Sequence, residues 1–158
     1  MKGCAWLAAL LLSLSAMPGA QARDTPASED ITTWPLDRME IRTAQGVEHF
    51  KVRIADNPAR QEQGLMFVRK LPHDAGMLFP QTPPAVLSMW MKNTLIPLDM
   101  LFVAADGHIA HIHANATPES LAIISYPLPV ASVLELPGGE CARRGIREGD
   151  VLARTLPN

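Results

Sequence analysis

The segment from Ser88 to Met100 contains the residues whose types and spacing best suit a binding or catalytic site. It reads Ser-Met-Trp-Met-Lys-Asn-Thr-Leu-Ile-Pro-Leu-Asp-Met, so a polar turn separates two apolar runs, and Asp99 lies inside the second run. A buried polar group is costly unless it has a hydrogen-bond partner or binds a ligand. We therefore expect the turn and Asp99 to belong either to a structural lock or to a ligand site.

The sequence leaves three interpretations of Asp99 open. In the favoured one, Asp99 stabilises its own turn by accepting hydrogen bonds from backbone amides there, or by pairing with Lys92 or Arg60. In the second, Trp90 is an apolar platform, and Lys92, Asn93 and Asp99 converge on a shallow pocket. In the third, Asp99 is a general acid or base, although no second carboxylate lies near it in the sequence.

Alternation of side chains supports a common surface for Trp90 and Lys92. A strand predicted over residues 85–92 places these two side chains on one face and four apolar side chains on the other. A second strand, predicted over residues 98–104, is apolar on both faces except at Asp99, as in a central strand. The apolar face of the first strand consists of Ala85, Leu87, Met89 and Met91.

Most of the remaining chain also predicts strands. Asn57 followed by Pro58 is typical of a helix start, and this helix is expected to end near Met66. A second short helix is predicted over residues 139–144, with Gly145 as its left-handed terminus. Further strands are predicted at residues 39–43, 47–54, 76–79, 108–114, 130–136 and 150–154. This pattern predicts a mostly β, single-domain β-sandwich or partly open barrel with two short helices.

Histidine and cysteine offer two other routes to chemistry. His111 and His113 share one face of a predicted strand, a spacing that can hold a divalent metal. No further ligand follows at a suitable distance, so we predict neither a metal site nor a cofactor. The start of the second helix could lower the pKa of the Cys141 thiol and make it reactive. However, an isolated cysteine is more often a small buried apolar residue.

The N-terminus predicts export. A basic start at Lys2 precedes an apolar run of about a dozen residues, shorter than the roughly 20 needed to span a bilayer. Residues 20–22 are Ala-Gln-Ala and match the small-x-small rule for signal peptidase. We therefore expect a cleaved signal peptide over residues 1–22 rather than a retained anchor, and a periplasmic or secreted protein that does not span the membrane after cleavage.

Composition limits the remaining function classes. The 158 residues include 14 Lys plus Arg against 16 Asp plus Glu, a formal net charge of −2, which does not predict nucleic-acid binding. Residues 23–33 predict a flexible leader, and residues 34–158 form one domain. At about 125 residues it can bury roughly two thirds of its unfolded surface. Cys141 is the one cysteine left after signal cleavage, so an intramolecular disulfide is excluded.

Four strings of the sequence resemble the domain-of-unknown-function 192 family. They are Arg60 to Met66 ending in Gly-Leu-Met, Gly76-Met-Leu-Phe79, Met89-Trp-Met-Lys-Asn-Thr-Leu-Ile-Pro-Leu-Asp99, and Val133-Leu-Glu-Leu-Pro-Gly-Gly139 through Gly145-Ile-Arg-Glu-Gly-Asp150. The resemblance covers about Met39 to Arg154. It implies a compact, mostly β domain that is often exported, with no established activity. This chain departs from the family pattern at Gln61, where the family usually has arginine. Cys141 and the histidines are not motif positions.

We predict a small exported binding or accessory domain, whose partner is a small molecule or an extracytoplasmic protein. Its candidate groove combines Trp90, Lys92, Asn93 and Asp99, with Arg60 as a cation. The first alternative is an extracytoplasmic hydrolase or lyase that uses Asp99 as acid or base. The second is a structural domain whose exposed Met and Trp surface docks another protein.

Overall fold

The computed structural model describes residues 29–155, so the predicted signal peptide and the first part of the predicted leader lie outside the described residues. Within that range the chain forms nine strands and two short α-helices. The strands are β1 (Leu36–Thr43), β2 (Gly46–Ile54), β3 (Ala75–Ala85), β4 (Ser88–Met89), β5 (Leu98–Val103), β6 (Ile109–Ala116), β7 (Ile124–Ser125), β8 (Val130–Pro137) and β9 (Val151–Arg154). The helices are α1 (Pro58–Gln63) and α2 (Glu140–Arg144).

Seven of these strands form one sheet in the order β6-β5-β8-β3-β2-β1-β9, and β4 pairs with β7 in a separate two-stranded sheet. The pair β2–β3 is parallel and the other ladders are antiparallel. The large sheet curls until its edges meet at one point, a bridge between His108 and Val151. This architecture confirms the expected mostly β domain and is consistent with a single-domain sandwich.

Each face of the large sheet covers its own hydrophobic core. One core lies beneath α1, the β4–β7 sheet and the loops around them, and includes Met77, Met100 and Val133. The other lies on the opposite face, next to α2, and includes Leu101, Leu134 and Cys141. The sheet therefore separates two interiors, and neighbouring residues of β5 and β8 enter different ones because side chains alternate along a strand.

The first helix begins as the sequence predicts. The Asn57 side chain accepts a hydrogen bond from the Arg60 amide at 3.0 Å, and Pro58 occupies the first turn. The helix ends at Gln63 rather than near Met66, because Gly64 adopts a positive φ of 49°. Residues 64–68 then cross the edge of the core as a loop, which brings Leu65 and Met66 under the 88–94 segment.

The strand predicted over residues 85–92 is wrong in extent. Only Ser88 and Met89 pair, with Ser125 and Ile124, and β3 extends instead to Ala85. The short strand β7 was not predicted at all. The expected alternation nevertheless holds: Met91 is fully buried, whereas Trp90 is 42% exposed. Burial against the core, rather than a continuous ladder, therefore fixes the direction of these side chains.

The second helix is confirmed with a start one residue later than predicted, at Glu140. Gly145 follows it with a left-handed φ of 66°, as expected. Residues Ile31–Thr33, which the sequence assigns to the leader, form one turn of 3-10 helix, and Ile31 packs against the first core. Between residues 29 and 155 the chain contains no helix with the length and apolarity needed to cross a membrane.

Candidate functional site

The turn at Asn93 and Thr94 joins three segments of the chain. Asn93 has a positive φ of 55°, and its carbonyl accepts a hydrogen bond from the Phe67 amide at 2.9 Å. The Thr94 carbonyl accepts one from the Glu119 amide at 3.0 Å. Phe67 and Glu119 also have positive φ values, of 64° and 60°. Such conformations are costly for non-glycine residues. The turn therefore holds the loop after α1 and the loop before β7 in fixed positions.

A groove lies between α1, the end of β3 and the segment that precedes this turn. It has a wide part with a volume of about 130 Å³ and a narrow part of about 30 Å³. Gln61, Phe79, Met89 and Trp90 line both parts, so the two parts lie side by side. We call this feature the Trp90 groove. The wide part is also lined by Pro80, Gln81, Leu87 and Ser88, and the narrow part also by residues 62–66, Lys92, Thr94 and Glu135.

Trp90 and Lys92 form the outer wall of the groove. The Lys92 ammonium lies 4.9 Å from the centroid of the Trp90 ring, close enough for a cation–π interaction. The Asn93 side chain turns away from them and donates a weak hydrogen bond to the Met66 sulfur at 3.7 Å. Asn93 is therefore a supporting residue beside the groove, and Trp90 and Lys92 line it.

Glu135 is the polar residue at the floor of the narrow part. It lies on β8 directly opposite Met77 of β3 and Met100 of β5, both fully buried, and is itself 4% exposed. Among the described residues, no side chain or amide donates a hydrogen bond to its carboxyl group. Burial therefore raises the pKa of Glu135 from its usual 4.5 to about 8. This carboxyl is protonated at neutral pH and is available to a group that enters the groove.

The sequence contained a signal for Glu135 that our prediction did not use. Glu135 lies inside the apolar run Val130–Leu136, just as Asp99 lies inside the run that follows the turn. The same argument about the cost of a buried carboxylate applies to both. Sequence alone could not show which of the two has partners, since those partners come from distant segments.

Asp99 faces the opposite interior and is fully buried. Its carboxylate accepts three backbone hydrogen bonds, from Asn115 at 2.8 Å, Gly139 at 3.0 Å and Cys141 at 2.9 Å. The expected partners Lys92, Arg60 and the turn amides are therefore wrong. The lock exists, but it joins β5 to the end of β6 and to the start of α2.

The start of α2 is organised around two acidic residues. Gly139 has a left-handed φ of 87°, which turns the backbone so that its amide and that of Cys141 reach Asp99. Burial alone would raise the pKa of Glu140, but hydrogen bonds from Arg143, Arg144 and His73 lower it to about 2. Arg144 also bonds Glu48 of β2 at 2.6 Å. This network fastens α2 to the sheet.

Cys141 is unsuited to nucleophilic chemistry. Its side chain is 4% exposed, and burial together with the nearby Asp99 carboxylate raises the pKa of its thiol. The expectation that the helix start could lower this pKa is wrong, because the amide of Cys141 is already engaged by Asp99. A thiol that stays protonated is a poor nucleophile.

Arg60 lies outside the groove. It forms ion pairs with Asp56 at 2.7 Å and Glu29 at 3.4 Å, and its guanidinium lies 5.5 Å from the ring centroid of the buried Trp34. The neighbouring Gln61 lines the groove instead and donates a hydrogen bond to the Pro80 carbonyl at 3.0 Å. Of the five predicted site residues, the structure therefore brings together Trp90, Lys92 and, beside them, Asn93.

The histidines of β6 belong to local packing. His111 stacks on Tyr126, with ring centroids 5.8 Å apart, and bonds Glu148 at 2.9 Å. The loop before β8 therefore contacts one face of the His111 ring, and the side chain remains 37% exposed. Within residues 29–155, no three His, Cys, Asp or Glu side chains form a group that could hold a metal ion.

A larger hollow of about 310 Å³ lies over β1 and β2, next to Arg38, His49 and Lys51. Lys51 is paired there with Asp74 at 2.9 Å, in an exposed ion pair. Exposed pairs of this kind contribute little to specificity or stability. The Trp90 groove has the buried, unpartnered carboxyl, and we take it as the candidate site.

Comparison with known families gives one match. The model of DUF192, a family described as “Uncharacterized ACR”, matches residues 39–153. This range includes both walls of the Trp90 groove and Glu135. No curated protein matches the chain.

Two solved structures share the fold and a substantial part of the sequence. One is a protein of Sinorhizobium meliloti 1021, described as a candidate transcription regulator, with 46% identity and a TM-score of 0.75 over 77% of this chain and 95% of that chain. The other is a protein of unknown function from Novosphingobium aromaticivorans DSM 12444, with 35% identity and a TM-score of 0.76 over 80% of this chain and 91% of that chain.

Replacing Glu135 should change how stability depends on pH. Between about pH 4.5 and 8, the folded chain holds a proton on Glu135 that the unfolded chain has lost, so stability falls as pH rises through this window. The loss can reach about 5 kcal/mol. Glu135→Gln should remove this dependence and exceed the native chain in stability above pH 8. Urea unfolding at several pH values measures the effect.

The matched control for this measurement is Glu62→Gln. Glu62 is an exposed carboxylate that lines the same narrow part. This variant should keep the pH dependence of the native chain. A Glu135→Gln variant whose stability follows the native curve across pH 5 to 8 would contradict the assignment.

Replacing Asp99 should destabilise the fold. Asp99→Asn removes the charge and replaces one acceptor oxygen by a donor, so at least one of the three backbone amides loses its partner. We expect a loss of about 3 kcal/mol or more in the free energy of unfolding. The control is Asp150→Asn, whose carboxylate accepts one backbone bond, from Arg147 at 2.7 Å. That variant should lose about 1 kcal/mol or less. Guanidinium unfolding measures both free energies of unfolding. Equal losses in Asp99→Asn and Asp150→Asn would contradict the structural role of Asp99.

Proposed function

The chain belongs to the DUF192 family, a family of unknown function, and we propose that it is a small exported binding domain whose ligand lies in the Trp90 groove. The observation that carries this proposal is Glu135, a residue that is 4% exposed, lines the groove and accepts no hydrogen bond at its carboxyl group from the described residues. Buried polar groups of a folded protein normally have partners. A ligand supplies the missing partner.

The rest of the groove supports recognition of a small amphipathic molecule. Phe79, Leu87 and Met89 give apolar contact, and Trp90 provides a flat aromatic wall. Gln61 and Ser88 place polar groups at the rim. Ligand sites usually combine mostly apolar walls with a few placed polar groups.

Catalysis by Asp99 has little support from this geometry. The carboxylate is fully buried and bonded to three backbone amides, and it faces the interior opposite the groove. A general acid or base must come within hydrogen-bond reach of its substrate. The hydrolase or lyase alternative would therefore need another residue.

Protein docking is a second candidate, supported by one observation. Beside the groove, Trp90, Leu121 and Ile123 are large apolar residues with 42%, 68% and 65% exposure. Trp90 directly follows β4, and Leu121 and Ile123 lie in the loop before β7. Exposed apolar patches often mark contact surfaces. This surface does not explain Glu135, so we favour the small ligand.

Regulation of transcription, named for the Sinorhizobium relative, is a weaker proposal for this chain. Binding to nucleic acid generally needs a basic face. Here acidic residues outnumber basic ones, with a net charge of −2.

Export is part of the proposal and rests on the N-terminal sequence pattern. The apolar run and the Ala-Gln-Ala site at residues 20–22 support a periplasmic or secreted location. Mass spectrometry of the chain purified from a periplasmic extract should give a protein that begins at Arg23. A full-length chain confined to the cytoplasm would contradict export.

Replacing Trp90 should weaken binding in the groove. Small water-soluble fragments can be screened by proton–nitrogen NMR. We expect the fragments that bind in the groove to shift the amide signals of Met89, Trp90 and Thr94. Trp90→Ala should weaken the fragments that bind there by about tenfold, equivalent to about 1.4 kcal/mol. The loss of aromatic contact is the cause.

The control for this screen is Leu36→Ala, which removes an exposed apolar side chain of β1 that is 54% exposed. It should leave every fragment affinity unchanged. If no fragment shifts the amide signals of Met89, Trp90 and Thr94 in the native chain, the binding proposal fails. The protein-docking alternative would then be the better supported function.

A further inference from the structure

We propose that the narrow part of the Trp90 groove takes the ammonium group of a primary amine, with the carboxylate of Glu135 as its partner and the apolar chain of the amine in the wide part. This inference rests on the proposed binding function and specifies the chemical class of the ligand.

The size of the narrow part suits a single small head group. Its volume of about 30 Å³ is enough for a water molecule or an ammonium group and too small for a larger ion. The wide part, at about 130 Å³, lies beside it and shares four of its lining residues. A ligand with a small polar end and a short apolar chain matches both volumes.

The acceptors around this space match an ammonium group, which has three donors. Glu135 offers its two carboxyl oxygens. Thr94 is 5% exposed, and its hydroxyl makes one long contact, to the Lys92 carbonyl at 3.4 Å. The Gln61 amide nitrogen bonds Pro80, and within residues 29–155 no donor reaches its Oε1. Three kinds of acceptor thus line one small space.

The walls also favour a cation. The Lys92 ammonium already lies 4.9 Å from the centroid of the Trp90 ring, so this ring can attract a cation, although Lys92 also places a like charge at this wall. Phe79 presents a second aromatic ring on the side of β3. A carboxylate ligand would be repelled once Glu135 ionises, whereas an ammonium group stabilises the ionised form, and a hydrocarbon would leave the buried carboxyl without a partner.

A cationic ligand has a consequence for pH. Binding stabilises the ionised form of Glu135 and releases the proton that the empty site holds at neutral pH. The affinity for an amine should therefore rise as pH approaches 8, where Glu135 ionises without help. A carboxylate probe should show the opposite trend, and an alcohol should show none.

The test uses three probes of equal length: n-pentylamine, n-pentanol and pentanoate. Each is titrated into the full chain at pH 6 and pH 8, and the indole N–H signal of Trp90 is followed by NMR. Pentylamine should bind more tightly than the other two, and at least about tenfold more tightly at pH 8 than at pH 6. In Glu135→Gln, this preference and its pH dependence should disappear.

Two outcomes separate this inference from the proposed function. If the three probes bind equally, or pentanoate binds best, the amine assignment is overturned while the groove remains a binding site. If none of the probes and no fragment of the earlier screen shifts the groove signals, the binding function itself fails.

Lys92→Met provides an independent check. Lys92 is a like charge beside the proposed ammonium position, so its removal should tighten pentylamine binding several-fold and weaken pentanoate binding. The control is Lys51→Met, since Lys51 is paired with Asp74 on another surface. Weaker pentylamine binding in Lys92→Met, with Lys51→Met unchanged, would overturn the proposal.

Discussion

The three backbone hydrogen bonds to Asp99 connect parts of the chain that are far apart in sequence. Asn115 ends β6, Gly139 precedes α2, and Cys141 lies within it. The carboxylate lies in the interior, where an unpaired charge would be severely destabilising. These bonds hold the end of β6 and the start of α2, which directly follows β8, against β5, and β5 pairs with β8 along its whole length.

Glu135 depends directly on that arrangement. The ladder between β5 and β8 places it opposite Met100, on the face that Asp99 does not share. The two strands thus bring one carboxyl to each interior. Asp99 has its partners in the backbone, whereas Glu135 faces the Trp90 groove without one among the described residues. Because burial is costly for both groups, the difference in partners separates the structural role of Asp99 from the binding role that we propose for Glu135.

Much of the fold could be predicted from local patterns. The cap at Asn57, the hairpin of β1 and β2 and the left-handed Gly145 follow from the preferences of individual residues. The short β7 could not be found in this way, because it lies in a proline-containing loop with no alternation. The resemblance to the family added the overall architecture but no activity.

The candidate site was predictable in part. The pattern around Trp90 and Lys92 predicted that these two side chains share one surface, since burial follows alternation there. The position of Arg60 could not be inferred, because its partners Asp56 and Glu29 lie on the far side of α1. The role of Asp99 was correct in kind and wrong in its partners, which come from segments 16 to 42 residues away.

The central claim is that Glu135 is a buried carboxyl to which no group within residues 29–155 donates a hydrogen bond. Carbon-13 NMR of its side-chain carboxyl group measures this most directly, with Glu135→Gln used to assign the signal. The account predicts a titration midpoint near pH 8, because burial raises the pKa of Glu135 to about 8. A midpoint near the ordinary value of about 4.3 would contradict it, since it would mean that water or an unrecognised donor already solvates the group.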